Sequence, residues 1–305
     1  MTETSLVRLA AAADAPEMLR VVHAAFSARR AVDPPPEALS DTLADVRRGL
    51  EEGWGVCAFD GGNLVGCLLV AHDGKTATLR RVAVLPEAAG RGVAKAIVAG
   101  AVSLAAEAGL REVRLLCRRE FPELISWWRE HDFTLVAETE QGLILGRNLP
   151  VMVAVATAED MRRLGADLAG LLRAGDLIIA SGGLGAGKTT LAQGIGEGLD
   201  VEGPVISPTF VISRIHPSRS DGPDLVHVDA YRMGDAGELA DIDLDATLER
   251  SVTLVEWGQG LAEWLADERL EVDIDREAGD DIRRVTLTGI GPRWAGALEN
   301  LRSWA

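Results

Sequence analysis

Residues Asp176–Leu199 read DLIIASGGLGAGKTTLAQGIGEGL. An apolar strand feeds a glycine-rich turn, and a helix follows. Gly182-Gly183-Leu184-Gly185-Ala186-Gly187-Lys188-Thr189 fits G-x-x-x-x-G-K-[ST] with no mismatch. The spacing has a chemical reason. Glycines let backbone N–H groups turn inward around phosphates, and a helix starting near Lys188 adds the positive end of its dipole. Lys188 reaches the β and γ phosphates, and the Thr189 hydroxyl faces Mg²⁺. With Thr190, these residues are the candidate ATP contacts.

Two further apolar strands follow, DLVHVDA (224–230) and SVTLVEWG (251–258). Strand, glycine loop, helix and later strands describe an α/β sheet that binds nucleotide at its strand ends. Asp229 and Glu256 stand at the carboxyl ends of those strands, where acidic groups suit Mg²⁺ or its water shell. Motifs then come in order: GGLGAGKTT, Ser207-Pro208-Thr209-Phe210, His227-Val228-Asp229-Ala230-Tyr231-Arg232, Val255-Glu256-Trp257, and the basic segment Asp281-Ile282-Arg283-Arg284.

Over residues 155–290 this order resembles TsaE, the small ATPase subunit of the bacterial tRNA threonylcarbamoyladenosine (t6A) machinery. The resemblance implies ATP and Mg²⁺ as cofactors. It implies that Lys188, Asp229, Glu256 and Thr209 serve hydrolysis. Thr189 and Glu256 hold Mg²⁺, Asp229 orients water, and Thr209 senses the γ-phosphate. It also implies TsaB and TsaD homologues as partners, with tRNA met only through them. Gly183 departs from the family, which usually has an acidic residue there. Trp257 reads either as a nucleotide or partner contact or as a core aromatic. Tyr231 and Arg232 read as functional, or as a buried tyrosine and a surface ion pair.

Upstream, EDMRRLGADLAGLLRAG reads as a helix ending at Gly175. The boundary falls near Asn148-Leu149-Pro150, because Pro150 interrupts a continuous strand. The chain then divides into domains 1–150 and 151–305. In the first, EMLRVVHAAFSARR and LADVRRGLEEG are helices with apolar positions three and four apart. DPPPEALS is a loop. Residues 54–85 form three strands turned at Asp60-Gly61-Gly62 and Asp73-Gly74. A glycine turn, a helix (94–109), the strand EVRLLC, the helix PELISWWREH and closing strands ending in GLILGRN complete it.

The turn lies in VAVLPEAAGRGVAK (82–95). It resembles the acetyl-CoA motif of the GNAT acetyltransferases, R/Q-x-x-G-x-G/A, at Ala89-Gly90-Arg91-Gly92-Val93-Ala94. Gly92 and Ala94 match; Ala89 replaces the usual Arg or Gln. Backbone donors and a helix N-terminus hold a pyrophosphate there. With Val82 and Val84 of the preceding strand, these six residues are the candidate acetyl-CoA contacts. Trp128 stands where the family often has a tyrosine acid, and indole has no usable proton. Asp132 replaces a glycine. The expected fold class is therefore α/β: an N-terminal GNAT mixed sheet with flanking helices, then a C-terminal P-loop NTPase α/β sheet.

Composition bounds the rest. The chain has 305 residues, 47% of them hydrophobic, which suits two domains. Net charge is −16. Residues 1–150 carry 17 basic and 20 acidic groups, and residues 151–305 carry 14 and 27. An acidic second half repels phosphate backbones, or simply keeps the protein soluble. There is no long apolar run and no signal-like N-terminus, so a cytoplasmic protein without a membrane span is expected. Cys57, Cys67 and Cys117 have no metal-ligand spacing and read as reduced, buried thiols. His23, His131, Glu51, Glu52, Arg80-Arg81 and Arg118-Arg119 read as ordinary polar positions or exposed charge.

Three functional readings stand. One is a t6A ATPase fused to an acetyltransferase whose acceptor amine the sequence does not name. Another is the same ATPase with a catalytically silent GNAT scaffold, favoured by Ala89 and Trp128. The third, a small-molecule kinase, is opposed by the HVDAYR and VEW motifs.

Overall fold

The computed structural model describes residues 6–242, 244–276 and 282–304. The chain divides into two compact units at Leu149–Pro150.

In the first unit, β1 (Leu6–Leu9) leads to α1 (Ala15–Ser27), whose buried Ala15, Met18, Val21, Val22 and Ala25 share one face. That face packs on the sheet. Next, α2 (Leu43–Glu51) opens with a capping box: Thr42 Oγ1 accepts Asp45 N–H while Asp45 Oδ2 accepts Thr42 N–H. The expected loop before it contains a short 3₁₀ turn at Glu37–Leu39. A meander follows, β2 (Trp54–Asp60), β3 (Asn63–Asp73) and β4 (Thr76–Val84). Its first turn pairs Asp60 with Asn63 across Gly61-Gly62, both at positive φ as a type I′ hairpin requires. Then come α3 (Val93–Glu107), β5 (Glu112–Cys117), α4 (Pro122–Arg129), β6 (Thr134–Thr139) and β7 (Gly142–Asn148).

The strands lie in the order β1-β2-β3-β4-β5-β7-β6. Neighbours are antiparallel except β4 and β5. Those two pair only over Thr76–Thr78 and Glu112–Arg114. Beyond Thr78 the pairing with β5 stops, and the later stretch of β4 includes the half-buried Val82 and Val84. Cys57 and Cys67, ten apart in sequence, are cross-strand partners. Both are fully buried free thiols; burial pushes Cys57 up to about 12 and Cys67 higher still.

The second unit begins with β8 (Val151–Val155), α5 (Ala158–Ala169), β9 (Leu177–Gly182) and α6 (Lys188–Gly198). β10 (Ser213–His216), β11 (Asp224–Asp229), α7 (Ala236–Ala240) and α8 (Asp245–Leu248) come next, then β12 (Ser251–Glu256), β13 (Arg269–Arg276) and β14 (Arg283–Ile290). The sheet order is β10-β11-β12-β9-β13-β14-β8. Its centre, β11-β12-β9-β13, is parallel, with antiparallel strands at both edges. The mixed α/β class expected from sequence holds in both units.

α6 packs against α5 and buries Leu191, Ala192 and Ile195 completely. Burying side chains of that size contributes about 1.5–3 kcal/mol each for Leu and Ile. α5 is capped by Thr157, whose Oγ1 accepts Asp160 N–H. It ends at Ala169, six residues before the expected Gly175. The chain tightens there into short-range bonds, Leu171 N–H to Leu168 O and Leu172 N–H to Ala169 O. Asp176 Oδ2 then accepts Arg173 N–H, and the left-handed Gly175 turns the chain into β9. Asp176 is also held from the C-terminal side by Arg293 at 2.7 and 2.9 Å, a buried two-pronged ion pair. Among the described residues, no helix is long and apolar enough to cross a membrane.

Candidate functional site

In the second unit, the parallel strands bring their carboxyl ends together. Asp229 and Glu256, the last residues of β11 and β12, are register partners. The loop after β9 rises beside them. Gly182 ends β9 at φ +135°, and a Cβ there would sit 2.4 Å from the Ile274 carbonyl oxygen. Only glycine fits that approach. Gly185 and Gly187 are also at positive φ, and Leu184 at the loop tip is exposed. Ala186 is buried, and its carbonyl accepts Arg283 Nε at 2.8 Å. A Cβ at Gly183 would meet nothing within 4 Å. The acidic residue usual there would fit without reshaping the loop, so this departure leaves the backbone donors in place.

Gly187 caps α6 without a side-chain hydrogen bond, so no capping side chain occupies the first N–H groups of the helix. Lys188 is 5% exposed, and its Nζ donates to the Gly182 and Gly183 carbonyls at 2.8 and 3.0 Å. The ammonium also lies 3.7 Å from the centre of the Trp257 ring. Burial holds its pKa below the ordinary lysine value, against the opposing pull of Glu256 and Asp229. Thr189 Oγ1 donates to Glu256 Oε1 at 2.8 Å. Thr190 follows on α6, outside that bond.

Asp229 is the centre of a second cluster. Its Oδ2 accepts Thr209 Oγ1 at 2.6 Å and Ser207 Oγ at 3.0 Å, while Oδ1 accepts Tyr231 N–H at 3.0 Å. The segment after Thr209 is apolar and open: Phe210 is 88% exposed, and Ile212 holds a left-handed φ of +69°. Arg232 stacks over the Phe210 ring at 5.1 Å. Tyr231 is exposed rather than buried, 5.0 Å from the Trp257 ring. Trp257 is half-buried at the lysine, with φ +61°, and is no core aromatic. Asp281 of the basic segment lies outside the described residues.

The donor set suits Mg²⁺ with nucleotide phosphates. Mg²⁺ is usually held by one or two protein oxygens plus phosphates and water, not by an all-protein cage. A threonine hydroxyl beside a buried carboxylate supplies those oxygens. Among the described residues, no group of three His, Cys, Asp or Glu forms a cage. Sequence reading assigned no role to Ser207, to His227, which bonds Glu256 from within β11, or to Arg283. All three lie in the ordered motifs, which was the available signal.

The first unit's turn is plainer. Ala89, Gly90, Arg91 and Gly92 are exposed, Val93 is buried and Ala94 is half-buried. Gly90 and Gly92 are left-handed, at φ +75° and +80°. Gly92 caps α3 without a side-chain bond, so the helix N–H groups are presented by backbone alone. Arg91 pairs with Asp60 at 2.7 Å. The Val82 carbonyl accepts Arg29 Nη2 at 3.1 Å, a contact sequence reading missed. Trp128 is 6% exposed, edge-on to both Trp127 and Phe133. It is a core residue. His131 Nδ1 bonds the Trp127 carbonyl. Arg81 is not exposed charge: it pairs with Asp41 at 2.6 and 2.9 Å. Arg118 and Arg119 lie beyond β5 and pair with Glu120 and Glu138.

Comparison with known proteins agrees with both halves. Residues 18–133 match the Acetyltransferase (GNAT) family and form a domain of that family. Residues 155–285 match the family described as Threonylcarbamoyl adenosine biosynthesis protein TsaE. The tRNA threonylcarbamoyladenosine biosynthesis protein TsaE of Bacillus subtilis is 40% identical over 145 residues, 47% of this chain and 88% of that protein. Among solved structures, the PaiA N-acetyltransferase of Thermoplasma acidophilum in complex with coenzyme A is 14% identical. It covers 48% of this chain and 99% of that chain, with a TM-score of 0.44. The tRNA threonylcarbamoyladenosine biosynthesis protein TsaE of Streptomyces coelicolor is 60% identical over 141 residues, 45% of this chain and 95% of that protein. With nearly all of that relative covered, the chain belongs to the TsaE family.

Proposed function

We propose that residues 151–305 are a Mg²⁺-dependent ATPase domain serving t6A biosynthesis in the cytoplasm, beside TsaB and TsaD homologues. The carrying observation is the convergence of Lys188, Thr189, Glu256, Thr209 and Asp229 at adjoining strand ends. Lys188 leaves the Gly182 and Gly183 carbonyls to meet the β and γ phosphates, and the N–H groups of residues 182–190 surround them. Thr189 and Glu256 would hold the metal, which would supply neutralisation of phosphate charge. Ser207 and Thr209 both donate to Asp229 Oδ2, while Oδ1 accepts only Tyr231 N–H among the described residues and keeps room for an attacking water. Movement of Thr209 toward the γ-phosphate would free Oδ2 further. The acidic charge of this half supports reaching tRNA only through partners.

The test is Lys188→Ala in the full chain. Removal of one such donor typically costs about 10²–10³-fold in turnover. ATP hydrolysis should fall at least that far, and cells carrying only the variant should lose t6A. Normal t6A in those cells overturns the assignment.

For residues 1–150 we infer a domain that binds acetyl-CoA along Val82, Val84 and Ala89–Ala94. The burial of Trp128 favours the scaffold reading over a working acetyltransferase, because no side-chain acid stands in its place. Calorimetric titration of the full chain with acetyl-CoA tests the site. Binding that vanishes in Gly92→Val supports it, and acetylation of any amine overturns the scaffold reading.

A further inference from the structure

We infer that His227 is a positioning residue for Glu256, fixing the carboxylate that meets the metal. The inference rests on the ATPase reading above. His227 lies inside β11, two residues before Asp229 and on the same face of the strand. It is 0% exposed, in a strand otherwise lined by Leu225, Val226 and Val228. An aliphatic side chain would fill that position at no polar cost. Instead the ring sits 2.8 Å from Glu256 Oε1 through Nε2, while its Nδ1 is buried without a hydrogen-bond partner among the described residues. A carboxylate only accepts, so Nε2 is the donor in that bond. A buried unpaired polar atom asks for an explanation. The bond to Glu256 supplies one.

Among the described residues, both hydrogen bonds to the Glu256 carboxylate end on Oε1, one from His227 and one from Thr189. Oε2 accepts neither of them. Thr189 Oγ1 would meet the metal through a lone pair while still donating to Oε1. His227 is the second donor to that oxygen, from the neighbouring strand, and with Thr189 it keeps the carboxylate from rotating. It is placed to do so because β11 and β12 run parallel and in register from Asp224↔Ser251 to Asp229↔Glu256. Sheet pairing, not a loop, sets the His227–Glu256 distance. Partners of metal-binding carboxylates typically carry about 10–100-fold of metal affinity.

The experiment uses the full chain and a non-hydrolysable ATP analogue. Calorimetry measures its binding without metal and then with increasing Mg²⁺. His227→Ala should weaken Mg²⁺ by about 10–100-fold while metal-free nucleotide binding stays level. His227→Gln, whose amide can donate to the same oxygen, should restore Mg²⁺ affinity to within a few-fold. Nitrogen NMR of the metal-free, histidine-labelled chain, with His227→Gln to assign the signal, should show a proton on Nε2. An unchanged Mg²⁺ affinity in His227→Ala overturns the inference while sparing the ATPase reading. So does equal loss in the Gln variant, or a ring that carries no proton on Nε2. The NMR result decides even where His227→Ala does not fold. Nucleotide binding that is indifferent to Mg²⁺ in the unaltered chain overturns the ATPase reading and this inference together.

Discussion

Around Lys188, side chains from α6, β11, β12 and the Ser207–Thr209 loop interlock: Thr189 and His227 on Glu256, Ser207 and Thr209 on Asp229. Around Gly92 in the first unit, the backbone is as well arranged, with two left-handed glycines and an uncapped helix start. Yet the side chains there are Ala89, an Arg91 tied to Asp60, and half-buried Val82 and Val84. Both turns can hold phosphate through N–H groups. One of them also carries groups that can move a charge or polarise water. Anion binding needs only backbone geometry, whereas chemistry needs side chains brought from several elements, and these two units separate the two requirements.

The tryptophans give the largest contrast. Trp128 is packed in the first unit's core, and Trp257 leans on the Lys188 ammonium. Trp128→Ala should cost about 3–5 kcal/mol in denaturant unfolding and leave ATP binding untouched. Trp257→Ala should cost less stability, because the ring is only half-buried. In the proposed site ATP would draw Lys188 away from that ring, so ATP should change the chain's tryptophan fluorescence. Trp257→Phe should abolish the change and Trp128→Phe should keep it. A change that survives in Trp257→Phe would trace the signal to another tryptophan and remove this support for movement of the lysine.

The glycines sharpen the comparison at smaller scale. In Gly182→Ala a methyl would meet the Ile274 carbonyl, in a backbone conformation alanine resists. A loss of about 2–4 kcal/mol is expected. Gly92→Ala meets nothing within 4 Å and suffers only its left-handed φ. About 1–2 kcal/mol is expected there. Equal losses, read from urea unfolding of the full chain, would mean that the loop at Gly182 relaxes away from β13 and is no rigid cradle.

How much of this the sequence disclosed depended on chain proximity. β9, the glycine loop and α6 are consecutive, so their reading needed no tertiary information. β11 and β12 are apolar runs buried on both faces, and their terminal acids stood out. β13 went unread because Leu270-Glu271-Val272-Asp273-Ile274-Asp275 alternates charge with apolar residues and borders an acidic stretch; β10 is only four residues long. Side-chain pairings were less legible still. The His227–Glu256 bond depends on strand register across 29 residues, and the Thr209–Asp229 bond on a loop whose path passes through a left-handed Ile212. Cys57 opposite Cys67 likewise depends on hairpin register, as Arg81 on Asp41 depends on how α2's entry meets β4.

The smallest expected effect is one of pH, and it tests whether the second site is charged as well as shaped. Burial lowers the Lys188 pKa from the ordinary 10.5 in the nucleotide-free chain. Phosphates meeting the ammonium would raise it again. Between those two values, binding ATP must take up a proton. ATP affinity should therefore be highest below the nucleotide-free pKa and fall by a few-fold as pH rises through it. Stability of the nucleotide-free chain should move the other way. In the window between the lowered folded value and the unfolded one, the unfolded chain binds more protons, so this residue's contribution to stability rises with pH. Calorimetry in two buffers of different ionisation enthalpy reads the proton uptake directly, and Lys188→Met should remove it. Acetyl-CoA binding at Gly92, which involves no buried lysine, should show no such uptake over the same range. Proton uptake that persists in Lys188→Met would move the coupling to another group and leave the two turns alike in their dependence on backbone alone.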